Sequence, residues 1–417
     1  MLNKLRIDAE KIYTGAIRAS LPDAAVASAL ENFRLPRGRL ILVSVGKAAY
    51  RMALCTSKII KEELGGRIDR GIVITKYGHK EGNVEGVEIY EAGHPFPDEN
   101  GAFATERALE ITENLSPDDL VLFLVSGGGS ALFESPFCSL SELRRLTGDL
   151  LASGADISEI NAIRKHLSRV KGGRFAEHIY PARVFSVVLS DVIGNRLDTI
   201  ASGPTASDES TVQEVEAIIE KYGIDISPKV REALSEETPK QIKNAEHFVG
   251  GSVSELCVSA KTIAEQLGYE AKILTDCECG VAREVGRRLA DLALENRGTE
   301  KPLAFILGGE TVVKLTGDGI GGRNQETALA AAKIISGHGN IAVFSVGSDG
   351  TDGPTDAAGG YVDGESYEKM TRVGVDFEKE LGNNNSYNAL KAVGGLIFTG
   401  PTGTNVNDIA VALIRKK

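Results

Sequence analysis

Short uncharged apolar runs recur along the chain, and each gives way to glycine, hydroxyl or acidic residues. Leu40 to Val45, Gly71 to Thr75, Val87 to Glu91, Leu120 to Val125 and Arg183 to Leu189 read as strands, most of them without the alternation of a half-exposed sheet. Between them the apolar residues fall at helical spacing, over 48–64, 99–114, 139–152 and 157–168. Residues 3–34 read as two amphipathic helices, and 206–246 as mostly helical, with Pro228 and Pro239 as breaks. The rhythm then resumes. Helices are expected over 254–267, 281–297 and 324–337, and strands at 271–274, 303–307, 311–315, 341–346 and 396–399. Strand alternating with helix predicts α/β architecture around a doubly wound, Rossmann-like parallel sheet, where ligands sit beyond the carboxyl ends of the strands. With 417 residues the chain is too long for one ordinary core, and a boundary near 240 divides it into domains 1–240 and 241–417.

Composition narrows the classes. A net charge of -11 argues against a nucleic-acid surface or a polybasic membrane patch. No apolar run reaches the roughly 18 residues of a membrane span, and no signal-peptide core follows Met1, so a cytoplasmic protein is expected. Five cysteines without a C-x-x-C pair, and six scattered histidines, give no disulfide framework or structural zinc pattern.

Candidate chemistry lies at the strand ends. Ser126-Gly127-Gly128-Gly129-Ser130 removes Cβ atoms where a strand passes into an expected helix, so backbone amides can approach an anion. Lys47 stands after a buried strand and a glycine, at the wrong end of a helix for a cation, which an anionic ligand would explain. Lys165 and Arg169 fall four apart in the most basic stretch, 161–174, where they could share a helix face toward a cleft or simply be solvated. Asp191 follows the apolar run 183–189 and is a candidate base or metal ligand, or else a turn aspartate. Glu310 follows Gly308-Gly309, Arg323 and Asn324 follow a glycine-rich stretch, and Asp349, Asp352 and Asp356 crowd one loop. A hard cation would hold such aspartates together.

Taken in order, Ser44-Val45-Gly46-Lys47-Ala48-Ala49, Ser126 to Leu132, Asn161 to Lys171, Ser190-Asp191-Val192-Ile193-Gly194, Gly308-Gly309-Glu310-Thr311, Gly322-Arg323-Asn324-Gln325-Glu326 and Ser348-Asp349-Gly350-Thr351-Asp352-Gly353 resemble the glycerate kinase family with a C-terminal MOFRL domain. The resemblance implies two α/β domains with the site in a cleft between them, and transfer of a phosphoryl group from ATP to D-glycerate, giving 2-phosphoglycerate with Mg²⁺ or another divalent cation. It implies a small-molecule substrate and a nucleotide as partners of a monomer or homodimer. Within it Lys47, Asp191 and Arg323 are expected to act in catalysis, with Asp191 as base. Ser126 to Ser130, Lys165, Arg169 and Asn324 are expected to bind substrate or phosphate, and Glu310, Asp349, Asp352 and Asp356 to hold metal. Because the family has also carried the label hydroxypyruvate reductase, an NAD(P)H-dependent reductase is the alternative. Against it, the first strand ends in Gly46-Lys47-Ala48-Ala49 and not in G-x-G-x-x-G.

Overall fold

The computed structural model describes residues 2–190 and 196–416, and Asp191 lies outside them. The chain forms two compact units. One is Ala25–Gly250; the other joins the chain before Ala25 to everything from Gly251 on.

The first unit is built on one parallel sheet. Its strands are β1 (Leu40–Val45), β2 (Arg70–Lys76), β3 (Val87–Ala92), β4 (Leu120–Val125), β5 (Arg183–Leu189) and β6 (Ala245–Gly250). Their order is β3-β2-β1-β4-β5-β6, the doubly wound order in which β1 and β4 flank the switch point. Both central strands are buried along their whole length. Ile41, Val43, Val45, Val121, Phe123 and Val125 enter the core on one face. Leu40, Leu42, Leu120, Leu122 and Leu124 enter the core on the other. Each such side chain is worth about 1.5–3 kcal/mol of burial, which is why these strands read as unbroken apolar runs. Register pairs Val45 with Val125 and Ile74, so β1 and β4 finish level and β2 runs on to Lys76.

The second unit holds β7 (Glu270–Glu278), β8 (Leu303–Gly309), β9 (Ile341–Gly347), β10 (Gly359–Asp363), β11 (Leu396–Ile397) and β12 (Asp408–Ile414), in the order β11-β10-β9-β12-β8-β7. This sheet is mixed. β7 and β8 are parallel, while β12 runs antiparallel between β8 and β9. The helix Leu2–Ala19 belongs here: its Leu5, Ala9, Ile12 and Ala16 share one core with the helix Val253–Gln266 and with Phe344, against which Tyr13 packs edge-on at 5.9 Å. The helix Pro22–Leu30 instead buries Ala25, Val26, Ala29 and Leu30 with β1 and β4. The expected division at 240 therefore differs from the observed one in two ways: β6 extends the first unit to Gly250, and the first helix packs with the later half of the chain.

Three strands lay outside the sequence expectation, namely β6, β10 and β12, and 311–315 makes only the isolated bridge Val281–Val312 in place of a strand. The stretch 206–246 does carry two helices, Val212–Tyr222 and Pro228–Leu234. Pro228 opens the second in the first turn, where its missing N–H costs nothing. No described helix is long and apolar enough to cross a membrane.

Candidate active site

In the first unit the chemistry gathers where β1, β3 and β4 end. Gly46 has φ 119°, and a side chain there would collide with Ser126 Oγ and the Ser126 carbonyl, so only glycine lets the two loops close on each other. The closure is hydrogen-bonded: Lys47 N donates to Gly127 O at 2.9 Å, and Ala48 N donates to Ser126 Oγ at 3.1 Å. Ser126 is buried and spends its hydroxyl in this way. The Lys47 backbone is fixed further by Thr75 Oγ1 and His79 Nδ1 at its carbonyl, 3.4 and 3.0 Å away. Its side chain is half-buried and has no ion-pair partner among the described residues.

Gly128 is left-handed, with φ 88°. A Cβ on it would stand 3.0 Å from His94 Cδ2 and 3.4 Å from Lys47 Cγ, so the loop, His94 and Lys47 meet at one point. The helix that follows is a single turn, Gly129–Leu132. It is too short to carry an appreciable macrodipole, so any anion-binding capacity here is that of loop amides and nearby cations. Facing Gly129 is the segment 199–203, in which Ala201 and Ser202 hold left-handed φ values of 51° and 62°, strain of the kind that clusters at functional sites. Ser202 Oγ meets Ser130 Oγ at 3.0 Å. Between these loops lies a cavity of about 200 Å³, walled by Ser126 to Ala131, His94, Pro95, Arg164 and Thr199 to Ala201. Burial, and then the charges of Lys47, Lys76 and His79, push the His94 imidazole below its ordinary value, toward the neutral form.

The basic stretch divides. The helix runs Ile157–His166 and ends before Arg169, so Lys165 and Arg169 do not share a helix face as expected. Lys165 is buried, 3.0 Å from Asp208 and 3.6 Å from Asp198. Arg169 is half exposed, 3.5 Å from Glu106, with its guanidinium over the Phe137 ring. The cation that reaches the glycine loop is Arg164, whose Nη2 donates to Ser130 O at 2.8 Å.

In the second unit β12 brings the first residue of a strand, Asp408, to the edge where β8 and β9 end, paired with Gly309 and Gly347. Arg323 opens the helix Arg323–Ala332 and forks onto Asp408, with Nε 2.6 Å from Oδ2 and Nη2 3.2 Å from Oδ1. Its Nη1 lies 3.1 Å from Glu310. Burial pushes the Asp408 carboxyl up to about 6, although Arg323 acts against the shift.

The four expected metal ligands go separate ways. Asp352 is buried and accepts from Asn324 N at 3.1 Å and Gln325 N at 2.9 Å, so it caps the helix that Arg323 begins. Asn324 is buried with it and accepts from Ser345 Oγ at 2.6 Å, facing the interior. Asp356 accepts from Tyr387 OH at 2.8 Å, and Asp349 holds its own loop through Thr351 N at 3.0 Å. No group of three or more metal-ligating side chains occurs among the described residues. Glu310 and Asp349 remain at the ends of β8 and β9, and two carboxylates are the number a Mg²⁺ ion ordinarily takes when phosphates supply its other oxygens. Asp352 and Asp356 are committed to protein donors and Glu310 to Arg323, so of the four only Glu310, by leaving Arg323, and Asp349 have the oxygens to offer a cation.

Arg164, His94 and Asp408 escaped the sequence reading. Arg164 lay inside the basic stretch, and its neighbours Ile160, Ile163 and Leu167, all buried, marked which face turned inward. Asp408 had no signal until β12 was recognised.

Residues 8–235 match a family described as a domain of unknown function, DUF4147, and residues 303–408 match the MOFRL family. The chain is 52% identical to the D-glycerate 2-kinase of Thermotoga maritima, over 99% of this chain and 98% of that one. It is 40% identical, over 97% and 93% of the two chains, to an Agrobacterium vitis protein whose name assigns it provisionally as a hydroxypyruvate reductase. A crystal structure of Thermotoga maritima glycerate kinase superposes with a TM-score of 0.94 at 50% identity, covering 99% of this chain and 100% of that one. Matched along nearly its whole length in sequence and fold, the chain belongs to the glycerate kinase family that carries the MOFRL region.

Proposed function

We propose that this protein transfers a phosphoryl group from ATP to a hydroxyl of D-glycerate, giving 2-phosphoglycerate. The observation that carries the reading is the small cavity under the glycine loop, with Arg164 in its wall and Lys47 beside Gly128. Phosphoryl transfer asks a protein for positioning and charge neutralisation more than for covalent chemistry, and this site supplies both. The name of the Thermotoga maritima relative supports the same substrate.

In this reading Lys47 and Arg323 neutralise glycerate's carboxylate or the transferring phosphoryl group. The backbone at 127–129 cradles phosphate oxygens. Glu310 and Asp349 meet the divalent cation that arrives with the nucleotide, and the cation, when bound, draws charge from the phosphoryl oxygens. Asp191 keeps the role of base on its place in the sequence alone.

The reductase alternative needs the first strand-to-helix turn to cradle a dinucleotide through several glycines. Here that turn has one glycine, Gly46, and it is spent on close packing against Ser126. The test is a product assay with purified protein, D-glycerate, ATP and Mg²⁺, read by phosphorus NMR, beside hydroxypyruvate with NADH and NADPH. Metal-dependent formation of 2-phosphoglycerate without nicotinamide oxidation is expected. Nicotinamide oxidation without phosphoglycerate would overturn the reading.

A further inference from the structure

Behind the glycine loop two cations share one carboxylate. Glu134 is fully buried. Lys171 Nζ lies 3.0 Å from its Oε2, and Arg164 Nη2 lies 3.8 Å from the same oxygen. Lys171 is itself wholly buried and donates to Phe133 O at 2.6 Å. Neither cation has another carboxylate within ion-pair distance among the described residues. The group therefore carries one positive charge more than it neutralises, in a place where a buried charge without a counter-ion is costly. The surplus is not spread at random. Arg164 is the member that reaches the cavity wall, tied by Ser130 O on the loop that forms the cavity's other side.

We propose that this cavity is an oxyanion subsite, that Arg164 is the side chain that binds the oxyanion, and that Glu134 and Lys171 are positioning residues that hold Arg164 against the glycine loop. The inference rests on the reading of that loop as an anion-binding element. At about 200 Å³ the cavity is smaller than the sites that enclose drug-sized ligands, roughly 300–1,000 Å³. Its occupant is a small anion: the carboxylate of a three-carbon acid or a single phosphoryl group, and not a nucleoside. Glu134 supplies one half of a fixed ion pair and the anion supplies the other. With the anion bound, each cation has a carboxylate or phosphate of its own.

The test compares wild type with Arg164→Gln, Arg164→Lys, the double variant Glu134→Gln/Lys171→Met, and Gly128→Ala. Turnover of D-glycerate with MgATP gives KM and kcat, and calorimetry gives the affinity for inorganic phosphate. Arg164→Gln is expected to raise one KM by about 10- to 100-fold, the loss of a charge-assisted hydrogen bond, while kcat changes less. Whether the KM for glycerate or for ATP rises tells the carboxylate from the phosphoryl group. Arg164→Lys recovers part of the loss. The double variant replaces the buried pair by neutral groups of similar size, keeps the fold, and raises the same KM by a smaller factor. Adding Arg164→Gln to it then costs less than Arg164→Gln alone, the mark of residues acting through one another. If Arg164→Gln leaves both KM values and the phosphate affinity within twofold while Gly128→Ala raises them, the loop binds its anion through the backbone and the inference falls. If Gly128→Ala also changes nothing while wild type still makes phosphoglycerate, the glycine-loop reading falls with it.

Discussion

The two sheets deliver their chemistry to an edge by different means. In the parallel sheet the functional edge is built from loops that follow strands, joined by Arg164 from the helix Ile157–His166. Close packing of those loops selects glycine at 46 and 128, so the edge offers backbone and a few cations. In the mixed sheet β12 runs the other way and places a strand's first residue, Asp408, between the ends of β8 and β9. That edge is acidic, and its cation is already engaged. Lys47 has no ion-pair partner among the described residues, whereas Arg323 holds Asp408 and Glu310 at once. Two basic residues that look alike in the sequence therefore stand in different states. In the proposed reaction the first could meet an anion directly, while the second would have to exchange a carboxylate to do so.

The largest effects should fall on these two residues, and their difference is the sharpest test of the comparison. Lys47→Ala is expected to lower kcat by about 10²–10⁴-fold, the range for removing a preorganised charge from a reacting centre, with thermal stability unchanged. Arg323→Ala should lower kcat as well, and should also cost about 3 kcal/mol, because Asp408 stays buried without its partner. Steady-state kinetics and thermal unfolding read both. Near-normal turnover in Lys47→Ala would remove that lysine from the mechanism. Equal stability in the two variants would erase the distinction between a cation without an ion pair among the described residues and an engaged one.

A smaller effect separates acids that share one loop. Asp352→Ala removes the cap from the helix Arg323–Ala332 and two hydrogen bonds to its amides, a loss of about 2 kcal/mol in urea unfolding. Asp349→Ala should leave stability within about 0.5 kcal/mol and instead raise the Mg²⁺ concentration needed for half-maximal turnover. The reverse pattern would return Asp352 to the metal and make Asp349 the structural residue.

How far the sequence reached follows the same division. The buried parallel strands β1, β4 and β5 announced themselves because both faces are apolar, and the glycine loop and Lys47 followed from where those runs stop. The mixed sheet was harder. β10 begins Gly359-Gly360, residues that weaken strands in general; here a side chain at 359 would collide with the Ser345 carbonyl on the neighbouring strand. β6 is an edge strand with polar residues and lies next to a helical stretch. Without β12, Asp408 could not be placed beside Arg323. Asp349, Asp352 and Asp356 are chemically identical, and only long-range partners such as the amides of Asn324 and Gln325 and the Tyr387 hydroxyl tell them apart.

The comparison extends to two buried ion pairs whose pH dependences have opposite sign. Burial lowers Lys171 from 10.5 to about 8, so between those values the unfolded chain binds more protons than the folded one, and stability rises with pH. Asp408 is raised from 3.8 to about 6, so between those values the folded chain binds more protons, and stability falls as pH rises. Each window is worth on the order of 3 kcal/mol. Urea unfolding at pH 7.5 and 9.5 should show an increment in wild type that Lys171→Met lacks. Between pH 4.5 and 6.5 it should show a decrement that Asp408→Asn lacks. Other groups titrate in both windows, so the difference between wild type and variant is the quantity that decides. If Lys171→Met keeps the wild-type slope, the lysine is held charged by Glu134 up to the pH of an ordinary lysine, and the pair behind the glycine loop is tighter than its distances imply. If Asp408→Asn keeps its slope, Arg323 fully offsets the cost of burial, and the acidic edge is balanced before any ligand arrives.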